Sequence, residues 1–589
     1  MKINSNIIAL LIFSLLSLAL LFPVFTNIRN FGVGDWDQHF VYNEVPRKTT
    51  MQYSQFPLWN PYYCGGNVML AHPESSFLSP AFIFIILFGT VIGLKIQIIF
   101  HMILGMFGMY LLSKHLNFGK CSAFLPSVVY FMSSWFALRM NAGHTLYMAS
   151  ALLPFVFLFY LKAIDGKKGD GSWKFSIISA LFMALIFFYG ATYPFLFIFL
   201  FLGVYTVLIA VQKRAIKPIY ILAIIVIITA GISAIKAIPV YNMATHNPLN
   251  RNDIEPMSFK TFYDSLFSRD QLIESRIFME GTSKWVWHEY GEYVGIIPFV
   301  LFIASFFVVG TWPLWVSAII FSLLYLGNSL FLWNLLRDFP IFNQLVAPSR
   351  FNIIIVFCIA LLAGASLSWF EKGSKIKIGA GKKQIVIIGI IAIIAFDMFL
   401  VSRPIYSAIF QGKPFIITPA PQFTQIFLDE KEKFNMMFPA VQAGFGVANC
   451  YEKMHVPVGV IPAFSTAGYK FNNYNGEAYL LDKNISLKYT YFSPEKIIIN
   501  IDNEIDDTLI INQNYDAAWK SDIGKVVNHE KLLAVEVPRN THSVELNYSP
   551  SYFIVGLAIT IVFLIASALF YRNPDLFEKE QKKGKKRIK

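Results

Sequence analysis

Charge is scarce in this chain: Asp, Glu, Lys and Arg make up 14% of its 589 residues, against roughly 25% in ordinary soluble domains. That scarcity excludes a soluble globule. With 56% of the chain hydrophobic, 16% aromatic, and a mean hydropathy of +0.53, too few polar groups remain to clothe the core, so part of the solvent is lipid.

Other things are missing as well. Four cysteines, Cys64, Cys121, Cys358 and Cys450, show no metal-ligand spacing. Cys121 and Cys358 lie in apolar runs and read as small core residues, whereas Cys64 and Cys450 both fall outside the spans, and sequence leaves their pairing open. No small-residue cleavage site follows the apolar run Ile7–Phe22, where the chain reads Phe22-Pro23-Val24-Phe25-Thr26, so a retained first span is expected rather than a signal peptide. There is no internal repeat. The net charge of +13 is no nucleic-acid signature, because Arg572, Lys579, Lys582, Lys583, Lys585, Lys586, Arg587 and Lys589 crowd the tail after the last apolar run. Such a tail suits orientation by the positive-inside rule and contact with anionic lipid; no nucleic-acid partner is expected.

What is present is a series of apolar runs, each close to the roughly 20 residues needed to cross about 30 Å of hydrocarbon. They cover 7–25, 96–113, 121–137, 146–163, 174–190, 194–211, 218–238, 295–309, 312–327, 351–370, 384–401 and 552–571. The run 82–94 is treated as an interfacial or re-entrant helix. Were it to cross, the following basic turns (Lys114/Lys120, Lys162–Lys174, Lys213/Arg214/Lys217) would move outside, against the positive-inside bias. The expected architecture is a polytopic α-helical membrane protein of about twelve spans, multi-pass, with both termini cytoplasmic.

Three segments then lie outside: loops 26–81 and 239–294 within the membrane domain 1–401, and a domain at 402–550. The second half of that domain alternates apolar and polar residues in short bursts, as in Lys496–Asp502, Thr508–Asn512, Leu532–Val537 and Ser543–Asn547. Turn residues separate the bursts, the pattern of an antiparallel β-rich domain. Residues 551–589 supply the final helix and the basic tail.

The first outer loop carries Gly34-Asp35-Trp36-Asp37-Gln38-His39, then Pro57-Leu58-Trp59-Asn60-Pro61, Gly65-Gly66-Asn67 and His72-Pro73-Glu74. Two carboxylates one residue apart suit coordination of a divalent cation by Asp35 and Asp37, or activation of a hydroxyl nucleophile. The plainer alternative is an acidic loop that stays in water, but Trp36, Trp59 and repeated Gly/Pro turns argue for a folded pocket. A second outer turn, Arg139-Met140-Asn141-Ala142-Gly143-His144, offers a phosphate partner and a proton shuttle, or an anchoring Arg and a capping His. The 239–294 loop carries Arg251, Asp253, Arg269, Asp270, Arg276 and the run Trp285–Tyr290; His288 and Glu289 add site chemistry to what would otherwise be belt aromatics. Arg350 opens a span and suits a lipid-linked phosphate or a plain interfacial anchor. Lys236 and Asp397, near outer span ends, are expected to snorkel, and His101 to be a satisfied core residue.

The order Gly-Asp-x-x-Gln, Pro-Leu-Trp-Asn-Pro with a following Gly-Gly, and a Gly-His turn resembles the bacterial YfhO-type membrane proteins. Asn514-Tyr515 with Trp519, then Tyr548-Ser549-Pro550 and a final span, extend the resemblance; Ala518 departs from it, standing where that motif has Gly. The family is similar to the GT-C class of polytopic glycosyltransferases. The resemblance implies a hexosyltransferase that moves a sugar from a polyprenyl-phosphate donor to an envelope polysaccharide, lipid or protein acceptor on the outer face. It makes Asp35 the catalytic candidate and Asp37, Gln38, Trp59, Asn60, Arg139, His144, His288, Glu289 and Arg350 candidates for substrate binding. Asp37 lies outside the shared pattern, and no cofactor beyond a divalent cation is implied. A transporter or flippase of a lipid-linked sugar is the main alternative, though it predicts repeated halves and midplane charges; a non-catalytic envelope scaffold is another.

Overall fold

The computed structural model describes residues 4–166, 171–246, 257–272, 286–339, 342, 345, 347–373, 379–432, 434–451 and 458–572. Arg251, Asp253, Arg276, Trp285 and the basic tail beyond Arg572 lie outside the described residues.

Among the described residues, eight helices are long and apolar enough to cross a membrane: Ser5–Thr26, Thr90–His115, Thr145–Asp165, Thr192–Lys213, Lys217–Thr245, Pro348–Gly373, Gly381–Ser407 and Ser551–Arg572. All eight coincide with expected runs. Ser172–Phe188, Ile296–Phe307 and Trp312–Tyr325 are apolar but shorter. The run 121–137 is broken rather than continuous: a 3₁₀ turn, Ser122–Phe124, leads into helix Leu125–Met132, and Ser133 takes extended geometry before helix Ser134–Ala142 begins. Uniform apolar composition hides such a break, because periodicity reports burial and not backbone continuity.

Residues 82–94 are also divided. Gly89, at φ 78°, ends the helix Phe82–Phe88 and begins Thr90–His115. The shorter helix folds back on the longer one so closely that a Cβ on Gly93 would lie 2.7 Å from the Phe84 carbonyl oxygen. Seven residues rise only about 10 Å as a helix, far short of a crossing.

The two ends of the bundle differ in character. At one end Lys114 donates to Asn6, Lys372 to the Asn117 carbonyl and Lys213 to Asp165, which gathers the basic turns. At the other, Lys95 donates to the carbonyls of Asn27 and Ile28, where the chain leaves the first span. There 26–81 folds around a 19-residue helix, Asp35–Tyr53, and packs on the segment that follows Ser407.

That segment is sheet-rich. Its four-stranded sheet runs in the order Trp519–Ser521, Thr541–Tyr548, Lys496–Asn503, Tyr489–Ser493. Its five-stranded sheet runs Val526–His529, Leu532–Val537, Asp507–Asn514, Ala478–Leu480, Ile485–Leu487. Ile497, Ile499 and Leu546 from the first share one core with Leu509, Ile511, Leu533 and Val535 from the second, so alternate residues of each strand face the opposite sheet. Trp59 enters this core from the 26–81 segment, 5.9 Å from the Trp519 ring. Asn514 donates to the carbonyls of Cys64 and Gly66, and a Cys64–Cys450 disulfide ties the same two segments.

Candidate active site

Asp35 is the first residue of helix Asp35–Tyr53, so its carboxylate sits where unpaired backbone N–H groups favour negative charge. It meets His144 because of Gly143. That glycine ends helix Ser134–Ala142 in the left-handed region at φ 90°, and a Cβ there would stand 2.5 Å from the Trp36 nitrogen. The result is a 2.9 Å contact between Asp35 Oδ2 and His144 Nε2. On the other oxygen, Tyr451 donates at 2.6 Å. Burial alone would push the Asp35 carboxyl up, but the His144 contact, the Tyr451 hydroxyl and nearby His39 outweigh it and hold the group well below the usual carboxylate range.

His39 follows one helical turn later. Its Nδ1 lies 2.9 Å from the Thr145 hydroxyl and its Nε2 3.8 Å from Glu74. Burial lowers it to about 4 against the pull of Asp35, so it is neutral at pH 7.

Behind this pair lies a charge cluster centred on Glu289, which is 2% exposed. Arg350 Nε and Nη2 bind its two carboxylate oxygens at 2.8 and 2.5 Å. Arg139, fully buried, donates to the same carboxylate and, at 3.2 Å, to the Glu289 carbonyl. Despite burial, the two guanidiniums hold Glu289 well below its ordinary value. Each guanidinium also faces a ring: Arg139 is 4.6 Å from the centroid of Tyr147, Arg350 4.5 Å from that of Tyr193. Arg139 Nη1 reaches His144 Nδ1 at 3.5 Å, which links the cluster to Asp35. His288, 24% exposed at its side chain, stands edge-on to His144 with ring centroids 5.1 Å apart. Burial lowers His288 to about 3, with Glu289 pulling the other way.

Of the expected residues, Asp35, Arg139, His144, His288, Glu289 and Arg350 therefore form one connected group. The other four are elsewhere. Both Asp37 oxygens accept backbone N–H groups, from Met437 at 2.8 Å and Phe438 at 2.9 Å, so Asp37 caps helix Met437–Gln442 and has no oxygen turned toward a shared cation with Asp35. Burial raises it to about 7 despite those donors. Gln38 bonds the hydroxyls of Tyr42 and Tyr63. Trp59 donates to Gln513 at 2.8 Å inside the sheet core, and Asn60 accepts from the Tyr62 amide at 3.0 Å. These contacts dock the loop on the sheets.

Ligand atoms of His144, His288 and Glu289 lie within 4.8 Å of one another, a spacing that suits a metal. The electrostatics do not: the carboxylate is already held by two guanidiniums, whose positive charges oppose a cation at that point.

Tyr451, His39, Thr145 and Glu74 were missed as site residues by sequence reasoning; for His39 and Glu74 the acidic-loop motif itself was a usable signal. Lys236 does not snorkel. It is fully buried, donating to the carbonyls of Pro73 and Ser75, and so fixes the loop that carries Glu74. Asp397 is paired with Arg269 and the Tyr293 hydroxyl. His101 is buried with Nδ1 2.6 Å from the Gln97 carbonyl, while Nε2 has no hydrogen-bond partner among the described residues.

No family profile and no curated protein matches the chain, so the YfhO-type resemblance rests on its motifs. Solved structures that it resembles in shape include ArnT from Cupriavidus metallidurans bound to undecaprenyl phosphate, at 12% identity and a TM-score of 0.41 over 74% of this chain and 89% of that one. The apo state of the same protein gives 11% identity and a TM-score of 0.41 over 73% and 84%. The arabinofuranosyltransferase AftD from Mycobacteria gives 12% identity and a TM-score of 0.40 over 72% of this chain and 30% of that one.

Proposed function

We propose that this chain is a membrane glycosyltransferase that moves a sugar from a polyprenyl-phosphate donor to a cell-envelope acceptor, with the reaction on the extracytoplasmic face and both termini cytoplasmic. The observation that carries the reading is the contact of Asp35 with His144, backed by Glu289 and two arginines, at the end of the bundle away from the basic turns.

Glycosyl transfer needs a carboxylate beside the acceptor hydroxyl and positive groups beside the departing phosphate. In this reading the acceptor oxygen forms a bond to the anomeric carbon as the bond from that carbon to the phosphate oxygen breaks. Polyprenyl phosphate leaves with the electron pair, and the hydroxyl proton passes to Asp35. A carboxylate held so acidic is a weak base, so the proton moves late, after positive charge has developed on the sugar ring, which the same carboxylate stabilises. The guanidiniums of Arg139 and Arg350 on the one Glu289 carboxylate leave a net charge of +1. Arg350, at 15% side-chain exposure, and neutral His288 present that charge and an N–H to the phosphate.

Asp35→Asn removes the base and keeps the shape. In membranes supplied with polyprenyl-phosphate sugar, transfer should be lost while the variant accumulates and melts as the parent does; unchanged transfer refutes the assignment.

A further inference from the structure

The helix that begins at Asp35 ends at a second concave surface. Its last turns bring Lys48, Gln52 and Tyr53 to a cleft of about 330 Å³, lined also by Gln422, Phe423 and residues 489–492 of the strand Tyr489–Ser493. The volume falls in the range of small-molecule sites, roughly 300–1,000 Å³.

Its floor is aromatic and already packed. Phe423 stacks on Phe492 with centroids 4.2 Å apart and planes 18° from parallel, and Tyr62 meets Phe423 edge-on at 5.3 Å. Tyr491 is 40% exposed, and Tyr53 and Tyr489 line the cleft with it. The rim is amide: Gln52, Gln422 and Gln442 line it, and no carboxylate does among the described residues. The one cation that lines it among the described residues, Lys48, donates at 2.9 Å to the Val441 carbonyl and rests 4.9 Å from the Tyr62 centroid, with further N–H donors left for a ligand.

Aromatic faces with amide side chains match the chemistry of a sugar chain. A pyranose ring has C–H faces that lie against an aromatic ring, and a hydroxyl rim whose groups both donate and accept, as amides do. A lipid tail has no use for the three glutamines, and an anion would call for more than one partly engaged lysine.

We propose that this cleft binds a glycan chain, namely the non-reacting stretch of the acceptor. From Asp35 to Tyr53 the helix rises about 27 Å, so a single sugar cannot lie at both ends and the ligand must be a polymer. Binding energy gained on such a remote stretch is used to position the reacting end. The identification of the glycan as acceptor rests on the proposed transferase reading; the binding itself does not.

The test uses the full-length protein in lipid nanodiscs, titrated by calorimetry with hexamers of α- and β-linked hexoses and N-acetylhexosamines, each plain and phosphate-substituted. Binding of at least one is expected. Tyr491→Ala, at an exposed position, should weaken it about tenfold or more, as truncation of a binding anchor does. Gln52→Glu should weaken phosphate-substituted chains more than plain ones. No binding by any hexamer, or equal binding by the parent and by both cleft variants, overturns the proposal. If the hexamers bind at the cleft but Asp35→Asn still transfers sugar, the catalytic reading falls and the glycan site stands. If Asp35→Asn is inactive and no hexamer binds, the reverse holds.

Discussion

Tyr451 donates a 2.6 Å hydrogen bond to Asp35 across 416 positions of sequence. The candidate base is therefore set by two parts of the chain: His144 from a turn between helices, and a hydroxyl from the segment that leads into the sheets. Loss of that hydroxyl should move the Asp35 carboxyl up toward its ordinary value. Tyr451→Phe should shift the acid limb of the pH–rate profile to higher pH. A hydrogen bond to a charged group contributes roughly 1.5–3 kcal/mol, so kcat should change by about tenfold to a hundredfold. A profile identical to the parent's would remove Tyr451 from the site.

The residue before Tyr451 is the disulfide partner of Cys64, which makes the bond a positioning device for the hydroxyl. Cys64→Ser, or reduction in mild detergent, should reproduce the Tyr451→Phe pH shift. It should also lower stability by about 2–5 kcal/mol, the usual cost of losing a native disulfide. Thiol labelling followed by mass spectrometry, alongside the pH profile, checks both.

Glu289 pairs with two guanidiniums at once, that of Arg139 fully buried and that of Arg350 largely so. Its removal strands both, and breaking a buried pair from one side costs about 3–5 kcal/mol. Glu289→Ala should therefore accumulate poorly and melt early. Glu289→Ala with Arg139→Met, which leaves one cation instead of two, should recover a large part of the stability without recovering transfer. Thermal melts of the single and double variants give the coupling; additivity would show that the cluster does not act as a unit.

Glu495 ties the 26–81 segment to the sheets by accepting the amides of Leu58 and Trp59 at 2.6 and 2.9 Å. Burial raises its carboxyl to about 8 despite those donors. Below the unfolded value, near 4.5, both states hold the proton. Between there and 8 only the folded state does, so stability falls as pH rises through that window and levels off above it. Glu495→Gln cannot titrate and should lose this part of the decline. Melting temperatures of parent and variant from pH 5 to 9 should diverge with that slope, and parallel curves would refute it.

Much of this was legible in the sequence, for a physical reason. Helix-long apolar runs and alternating strands are local patterns, and a Gly-Asp or Gly-His turn announces itself within a few residues, so Asp35 and His144 could be named. Whether they would touch could not be read, because the contact depends on Gly143 letting two backbones approach. Tyr451 has no local signal at all. Asp37 misled for the opposite reason: Asp-x-Asp resembles a ligand pair, yet successive helical residues point about 100° apart and two apart do not share a face. Its carboxylate finds Met437 and Phe438 instead. Glu289 was named for a sugar site, while its principal partners, Arg139 and Arg350, were assigned to phosphate; long-range charge pairing is invisible until the fold closes.

That pairing also bears on metal dependence. His144, His288 and Glu289 have the spacing of a metal site, but each Glu289 oxygen already accepts from a guanidinium. A cation would have to displace an arginine and stand beside its charge, and at 4 Å in an effective dielectric near 20 two like charges repel by about 4 kcal/mol. His288 is lowered by burial to about 3 and so is uncharged at pH 7; the obstacles are Glu289, held by both guanidiniums, and His144, whose two ring nitrogens meet Asp35 and Arg139. The parent protein should therefore carry no stoichiometric metal and keep its transfer rate after exhaustive EDTA. In a variant with Arg139→Met and Arg350→Met the carboxylate is released, and zinc should bind the three residues with an affinity that Glu289→Gln in the same background abolishes. Metal analysis of the purified parent decides the first point: one tightly held ion per chain, with transfer lost on its removal, would mean that the arginines yield their carboxylate in the working enzyme.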